Sequence, residues 1–152
     1  MTSTCDTAIA FAMRDWKVLP VSPRAKTPFF PIASNGYKCA TSDPAEVASW
    51  FRREVTLNFG VACAMSNLVV FDVDYRNGGD TDGLNLDTFT VRTGDGLHLY
   101  YKTNKEATFG GKLRQGVDIK FNGYVVAPTS IHPSGALYEL LNDSEPSERM
   151  FA

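Results

Sequence analysis

Apolar residues fall at helical spacing in two short stretches near the start of the chain and at strand-like spacing almost everywhere after them. Ala8, Ile9, Ala12 and Met13 line one side of a helix over residues 4–15, with Thr4 as its cap. KVLPV at 17–21 reads as a short strand. Pro20 has no N–H to give to a ladder, so that strand belongs at an edge or an end. Pro23, Pro28, Pro31 and Gly36 make 22–41 a long structured loop. Asp43 then caps a second helix, with Pro44 at its first position and Glu46 placed to complete a capping box. Val47, Trp50 and Phe51 give that helix its buried face. GVACAM at 60–65 and LVVFDVDY at 68–75 flank Ser66-Asn67 as a hairpin would, and TFTVRT at 88–93 and LHLYYK at 97–102 flank Gly94-Asp95-Gly96. VDIKF at 117–121 and YVVAP at 124–128 flank Asn122-Gly123, a pair suited to the left-handed conformations of a two-residue hairpin. ALYELL at 136–141 reads as a last strand and the polar residues 142–152 as a fraying tail or the start of a linker.

Two early helices followed by about seven strands, without a strand–helix–strand rhythm, predict a mostly antiparallel α+β domain over residues 1–141. The 43% of hydrophobic residues in a 152-residue chain suffices for one real core. No run of eighteen apolar residues offers a membrane span, and the first residues lack the pattern of a signal peptide. Cys5, Cys39 and Cys63 form no CxxC pair and read as reduced thiols, in keeping with a cytoplasmic protein. A net charge of −2 excludes a binder that holds nucleic acid by bulk positive charge alone. It is compatible with carboxylates for metals beside a local basic track, and Lys102, Lys105, Lys112, Arg114 and Lys120 form such a track against Glu106 and Asp118.

Three constellations carry chemistry. Asp72 and Asp74 alternate with Phe71 and Val73, so both acids emerge on one face at the end of an apolar strand. Neighbouring carboxylates repel unless neutralised, and hard oxygen donors suit Mg²⁺ or Mn²⁺. Solvated acids at a strand end account for the same pair. Thr93-Gly94-Asp95-Gly96-Leu97-His98 places two glycines before a strand that carries a histidine, either a tight turn or a backbone cradle for phosphate. Asp118 and Lys120 share a face of a third strand, where they either pair with each other or supply a third metal ligand and a phosphate contact. Two further readings compete: an aspartyl phosphatase, which also places DxD after an apolar strand, and a non-catalytic RRM-like nucleic-acid-binding module using Phe71, Phe89, Tyr100, Tyr101, Phe121 and Tyr124 to stack bases. Ser130 and His132 could form a nucleophile–base pair, though no third partner is evident.

Taken in order, these motifs resemble the primase-polymerase domain of the archaeo-eukaryotic primase superfamily, the kind found in phage and plasmid replication proteins. Asp72 and Asp74 match its DxD, Gly96 to His98 its small-residue loop ending in histidine, and Asp118 its later strand acid. Lys26-Thr27-Pro28, Ala40 to Pro44, Asn58 to Val61 and Gly123 to Ser130, with His132, Ser134, Gly135 and Tyr138, are similar to its flanking segments. Thr93-Gly94-Asp95 departs from the family's Ser-Gly-Gly and adds an acid beside the loop. The resemblance implies a small N-terminal α/β unit over 1–57 and an RRM-like catalytic sheet over 58–141, with the active site in the cleft between them. It implies template-directed nucleotidyl transfer from NTP or dNTP on a single-stranded DNA template and primer. Two divalent ions, Mg²⁺ or Mn²⁺, would be held by Asp72, Asp74 and Asp118. His98, Gly96, Lys120, Arg92 and Arg114 would contact the nucleotide, and a helicase module would stand in the same full-length chain.

Overall fold

A computed structural model describes residues 3–152. Its elements run α1 (Thr4–Met13), β1 (Val18–Val21), α2 (Pro44–Arg53), β2 (Asn58–Ala62), β3 (Leu68–Asp74), β4 (Thr90–Arg92), β5 (Gly96–Lys102), β6 (Lys112–Arg114), β7 (Val117–Lys120), β8 (Tyr124–Val126) and β9 (Glu139–Asn142). Helix α1 is capped by Ser3, whose hydroxyl accepts the Asp6 N–H, one residue before the expected cap. It stops at Arg14, and Asp15 takes a left-handed conformation at φ 65°. In α2 Asp43 is the cap and Pro44 opens the helix, as the sequence predicts. The capping box does not close, because the Asp43 N–H is taken by the Thr41 hydroxyl.

The strands form two antiparallel sheets, ordered β1-β2-β8 and β6-β7-β3-β5-β4-β9. This is a mixed α/β fold with a multi-stranded antiparallel sheet flanked by N-terminal helices and strands. Pro20 lies in β1, an edge of the smaller sheet, where its missing N–H costs no ladder bond. β4 and β5 form the expected hairpin, closed by the Thr93 N–H on the Gly96 carbonyl at 3.0 Å.

The other two expected hairpins are not hairpins. β2 pairs with β8 and β3 pairs with β7, so neither β2–β3 nor β7–β8 folds back on itself. Instead two long strands run antiparallel and bend together from the small sheet into the large one. At the bend, the Cys63 N–H donates to the Gly123 carbonyl and the Ala64 N–H to the Phe121 carbonyl. The 3-10 turn Ala64–Ser66, followed by left-handed Asn67, absorbs the extra residues of one strand. The smaller sheet thus draws strands from both sides of residue 57.

The bend produces two cores. On the inner face of the large sheet, Leu68, Val70, Val91 and Tyr100 pack against Phe11, Trp16, Phe59 and the α2 residues Val47, Trp50 and Phe51. Phe11 meets Trp16, Phe59 and Phe89 edge-on at 5.0–5.7 Å between ring centroids. The outer face buries Val69, Phe71, Val73, Leu99, Tyr101 and Val117 with Leu84 and Phe121. Of residues 142–152, expected to fray, Asn142 closes β9 and the rest lie back along this structure. The Lys102 N–H donates to the Ser147 carbonyl and the Asn85 N–H to the Met150 carbonyl, and Phe151 bridges to Leu84. Met150 and Phe151 supply the apolar anchor that the polar run around them conceals.

Candidate active site

The inner face of the large sheet is apolar through Val70 and Tyr100 and turns polar one register step further on. There Asp118 of β7 stands opposite Asp72 of β3, and Asp72 stands opposite His98 of β5. Direct cross-strand partners share a face, with Cβ atoms about 4.5–5.5 Å apart. Asp118, Asp72 and His98 therefore form one row across three strands, Lys112 extends it on β6, and Asp74 follows two residues along β3 on the same face. The period of two that fixes the apolar faces fixes this row as well.

His98 is buried, with Nε2 3.5 Å from an Asp72 carboxylate oxygen and Nδ1 without a partner. Burial raises the Asp72 pKa, but the His98 contact and the charges of His98, Lys120 and Lys26 outweigh it and hold the carboxyl below its ordinary value. Asp74 accepts the Arg76 N–H and the Asn77 side-chain amide, capping the 3-10 turn Tyr75–Asn77. An ionised carboxylate has about four acceptor positions, so this capping leaves others open. Among the described residues, no group of three or more His, Cys, Asp or Glu side chains is gathered as tightly as a bound metal requires. The donor set is nonetheless of the right chemistry for a hard cation and shares one face.

Three depressions meet at Asp72. One of about 200 Å³ is lined by Lys26, Arg76, Thr93, Gly94, Asp95, His98, His132 and Tyr138. A second, of about 540 Å³, holds Asp74, Lys112, Gln115 and Asp118. A third, of about 310 Å³, lies between the sheets, with Lys26, His98 and Lys120 beside Tyr124, Val125, Val126 and Tyr138. Lys26, Arg76, His132 and Tyr138 were not singled out as site residues from the sequence. The sequence marks Lys26 by family likeness alone and His132 by that likeness and as a possible base for Ser130, and nothing in it turns His132 toward the acids. The Ser134 N–H donates to His132 Nδ1 at 3.1 Å, which leaves Nε2 as the N–H donor of the neutral ring. Burial and the charges of Lys26 and Arg76 lower the His132 pKa. Gly94 lies close against His132: a Cβ there would stand 2.9 Å from three atoms of the ring and displace it. Tyr138, between the two histidines, has its hydroxyl pushed up to about 12 by burial and by the Asp72 charge.

The remaining expected contacts divide. Lys120 stands opposite Val70, on the face of Asp72. Arg92 pairs in register with Leu97, which pairs with Val73, so it belongs to the opposite face and its guanidinium meets Glu139 at 3.2 Å. Arg114 donates to the Asp80 carboxylate and to the Asp80 and Asp82 carbonyls, pinning the glycine-rich loop. Gly96 is buried where β5 crosses β3, and a Cβ there would collide with the Val73 carbonyl oxygen. Its glycine answers to strand packing rather than to a ligand.

Ser130 and His132 are not a catalytic pair. The buried Ser130 hydroxyl accepts the Phe59 N–H at 3.1 Å and donates to the Phe59 carbonyl at 3.3 Å. Ser130→Ala leaves that N–H unsatisfied and is expected to cost about 1–3 kcal/mol of stability, as read by denaturant melts. Cys63, also buried, has its thiol pushed up to about 12, and all three cysteines are free.

Fold and site together define a mixed α/β protein in which acids of the large sheet and cations from that sheet and the loops around it line one polar recess. The family model described as bifunctional DNA primase/polymerase, N-terminal, matches residues 8–150, and the chain belongs to that family. It is a nucleotidyltransferase that joins nucleotides under the direction of a DNA template. No curated protein matches the chain. An aspartyl phosphatase of the parallel α/β type is incompatible with sheets whose strands all pair antiparallel. Among the described residues no helix is long and apolar enough to cross a membrane.

Proposed function

We propose that Asp72, Asp74 and Asp118 hold two divalent cations, Mg²⁺ or Mn²⁺, and that the recess around Asp72 is the active site, in a cleft between an RRM-like sheet and the N-terminal unit. The observation that carries this reading is the row Asp118, Asp72, His98 on three neighbouring strands of one face, with Asp74 beside it. The cations, when bound, neutralise the carboxylates and stabilise the charge that develops on the attacking and leaving oxygens.

The chain's own groups do the rest. A primer 3′-hydroxyl oxygen bonds to the α-phosphorus of an NTP or dNTP, its proton passes to solvent, and pyrophosphate leaves. Lys26, Arg76 and His132 Nε2–H give the recess beside the acids a cationic, donor-rich wall for the triphosphate. His98, its Nε2 beside the Asp72 carboxylate, lines the same space. Lys120 guards the other side, between the sheets. Residues 1–141 would act as the catalytic domain of a phage or plasmid replication protein working in the cytoplasm, with a helicase module in the same full-length chain.

Titrating Mn²⁺ into the protein tests the metal assignment. The wild type is expected to bind at least about tenfold more tightly than Asp118→Asn, since loss of a charged ligand removes more than ~1.4 kcal/mol. Equal affinity would exclude Asp118 as a ligand.

A further inference from the structure

Beyond the catalytic recess, a groove of about 460 Å³ runs between the 3-10 turn Gly36–Cys39, the segment leading into β6, and the bend from β7 to β8. Tyr37, Phe109 and Tyr124 form partly exposed walls, and Phe121 lies buried beneath them. The walls are fixed before any ligand arrives. The Phe109 ring meets Phe121 edge-on at 5.0 Å, and the Tyr124 hydroxyl donates to the Lys26 carbonyl. Rigid aromatic faces lose little entropy on stacking.

Two further observations point to a ligand. Gly110, Gly111 and Gly123 rim the groove, yet a Cβ on any of them meets no atom within 4 Å, and none has a positive φ. Neither packing nor backbone conformation asks for glycine at these positions, whereas a flat group approaching the backbone does. No acid lines the groove, and Lys120 supplies its charge in a protein whose net charge is −2. Lys120 and Tyr124 also line the depression that holds Asp72 and His98, so the groove adjoins the recess.

We infer that this groove binds single-stranded DNA template, stacking its bases on Tyr37, Phe109 and Tyr124 while Lys120 meets the phosphodiester backbone. The inference rests on the polymerase reading of the neighbouring recess. Its volume lies within the roughly 300–1,000 Å³ of ordinary ligand sites. Asn122 is the lone side-chain amide in its lining, so recognition is by stacking and tolerates any sequence.

Fluorescence anisotropy of a labelled oligo-dT strand, without nucleotide or primer, reads this binding separately from incorporation. Phe109→Ala is expected to weaken it about tenfold, within the ~1–3 kcal/mol of one base–aromatic stack, and Phe109→Trp to restore it. Gly111→Leu, which adds a side chain into open space, should keep the wild-type melting temperature and also weaken the strand about tenfold. The nucleotide KM at saturating template should stay within about twofold in every variant. Wild-type affinity in a folded Gly111→Leu variant would overturn the inference. So would an unchanged strand affinity with a raised nucleotide KM, which would give the groove to the incoming base. If the wild type binds the strand through these residues but incorporates nothing, the catalytic reading fails and the groove stands.

Discussion

Asp72→Asn is expected to lower nucleotide incorporation by about a hundred- to a thousandfold, or roughly 3–4 kcal/mol of transition-state stabilisation. Asparagine keeps the shape and removes the charge, so the loss reports the carboxylate itself. Stability should fall slightly, by about 1 kcal/mol. Repulsion among three acids would predict the opposite sign. The depressed Asp72 pKa decides between them: His98, Lys120 and Lys26 attract the carboxylate more than burial penalises it. A carboxyl whose folded pKa lies below its unfolded value of about 4 stabilises the fold fully above that pH. The contribution disappears as pH falls through the lower, folded value. Melts of wild type and Asp72→Asn should therefore differ at pH 7 and converge on acidification below about pH 4. A variant more stable than wild type at neutral pH would show that repulsion dominates.

Gly96→Ala is expected to have the largest effect on the fold. Its Cβ would overlap the Val73 carbonyl oxygen and stand 3.3 Å from the Asp74 Cα, both backbone atoms of the strand that carries the acids. Neither can yield without disturbing the β3–β5 ladder, and a cost of at least about 3 kcal/mol follows. Incorporation should be lost together with stability. A stable Gly96→Ala protein with only a raised nucleotide KM would return Gly96 to the nucleotide-binding role that the motif suggests.

Much of the site was legible because the strand period is local. Asp72, Asp74, Asp118 and His98 could be placed on their faces from alternation alone, and the structure sets Asp72 between Asp118 and His98. What alternation does not carry is which strands adjoin. Ser66-Asn67 and Asn122-Gly123 carry the residues of a reversal, yet both sit where a strand bends from one sheet into the next. A turn-forming pair specifies a local conformation, while the direction of the chain beyond it depends on partners far along the sequence, as in Gly60 with Val126 and Val73 with Val117. The resemblance makes Arg92 and Arg114 nucleotide contacts without saying which way their side chains run. Register puts Arg92 on the far face, and the loop after β3 claims Arg114 through Asp80 and Asp82. Lys26 and His132 come from loops, where no period announces the direction of a side chain.

Incorporation of labelled nucleotide on a primed single-stranded template tests the central claim most directly. Wild-type protein with Mg²⁺ or Mn²⁺ should add the nucleotide complementary to the template, a chelator should stop it, and Asp72→Asn should fail under the same conditions. Incorporation that survives the chelator, or that Asp72→Asn sustains at the wild-type rate, would contradict the account.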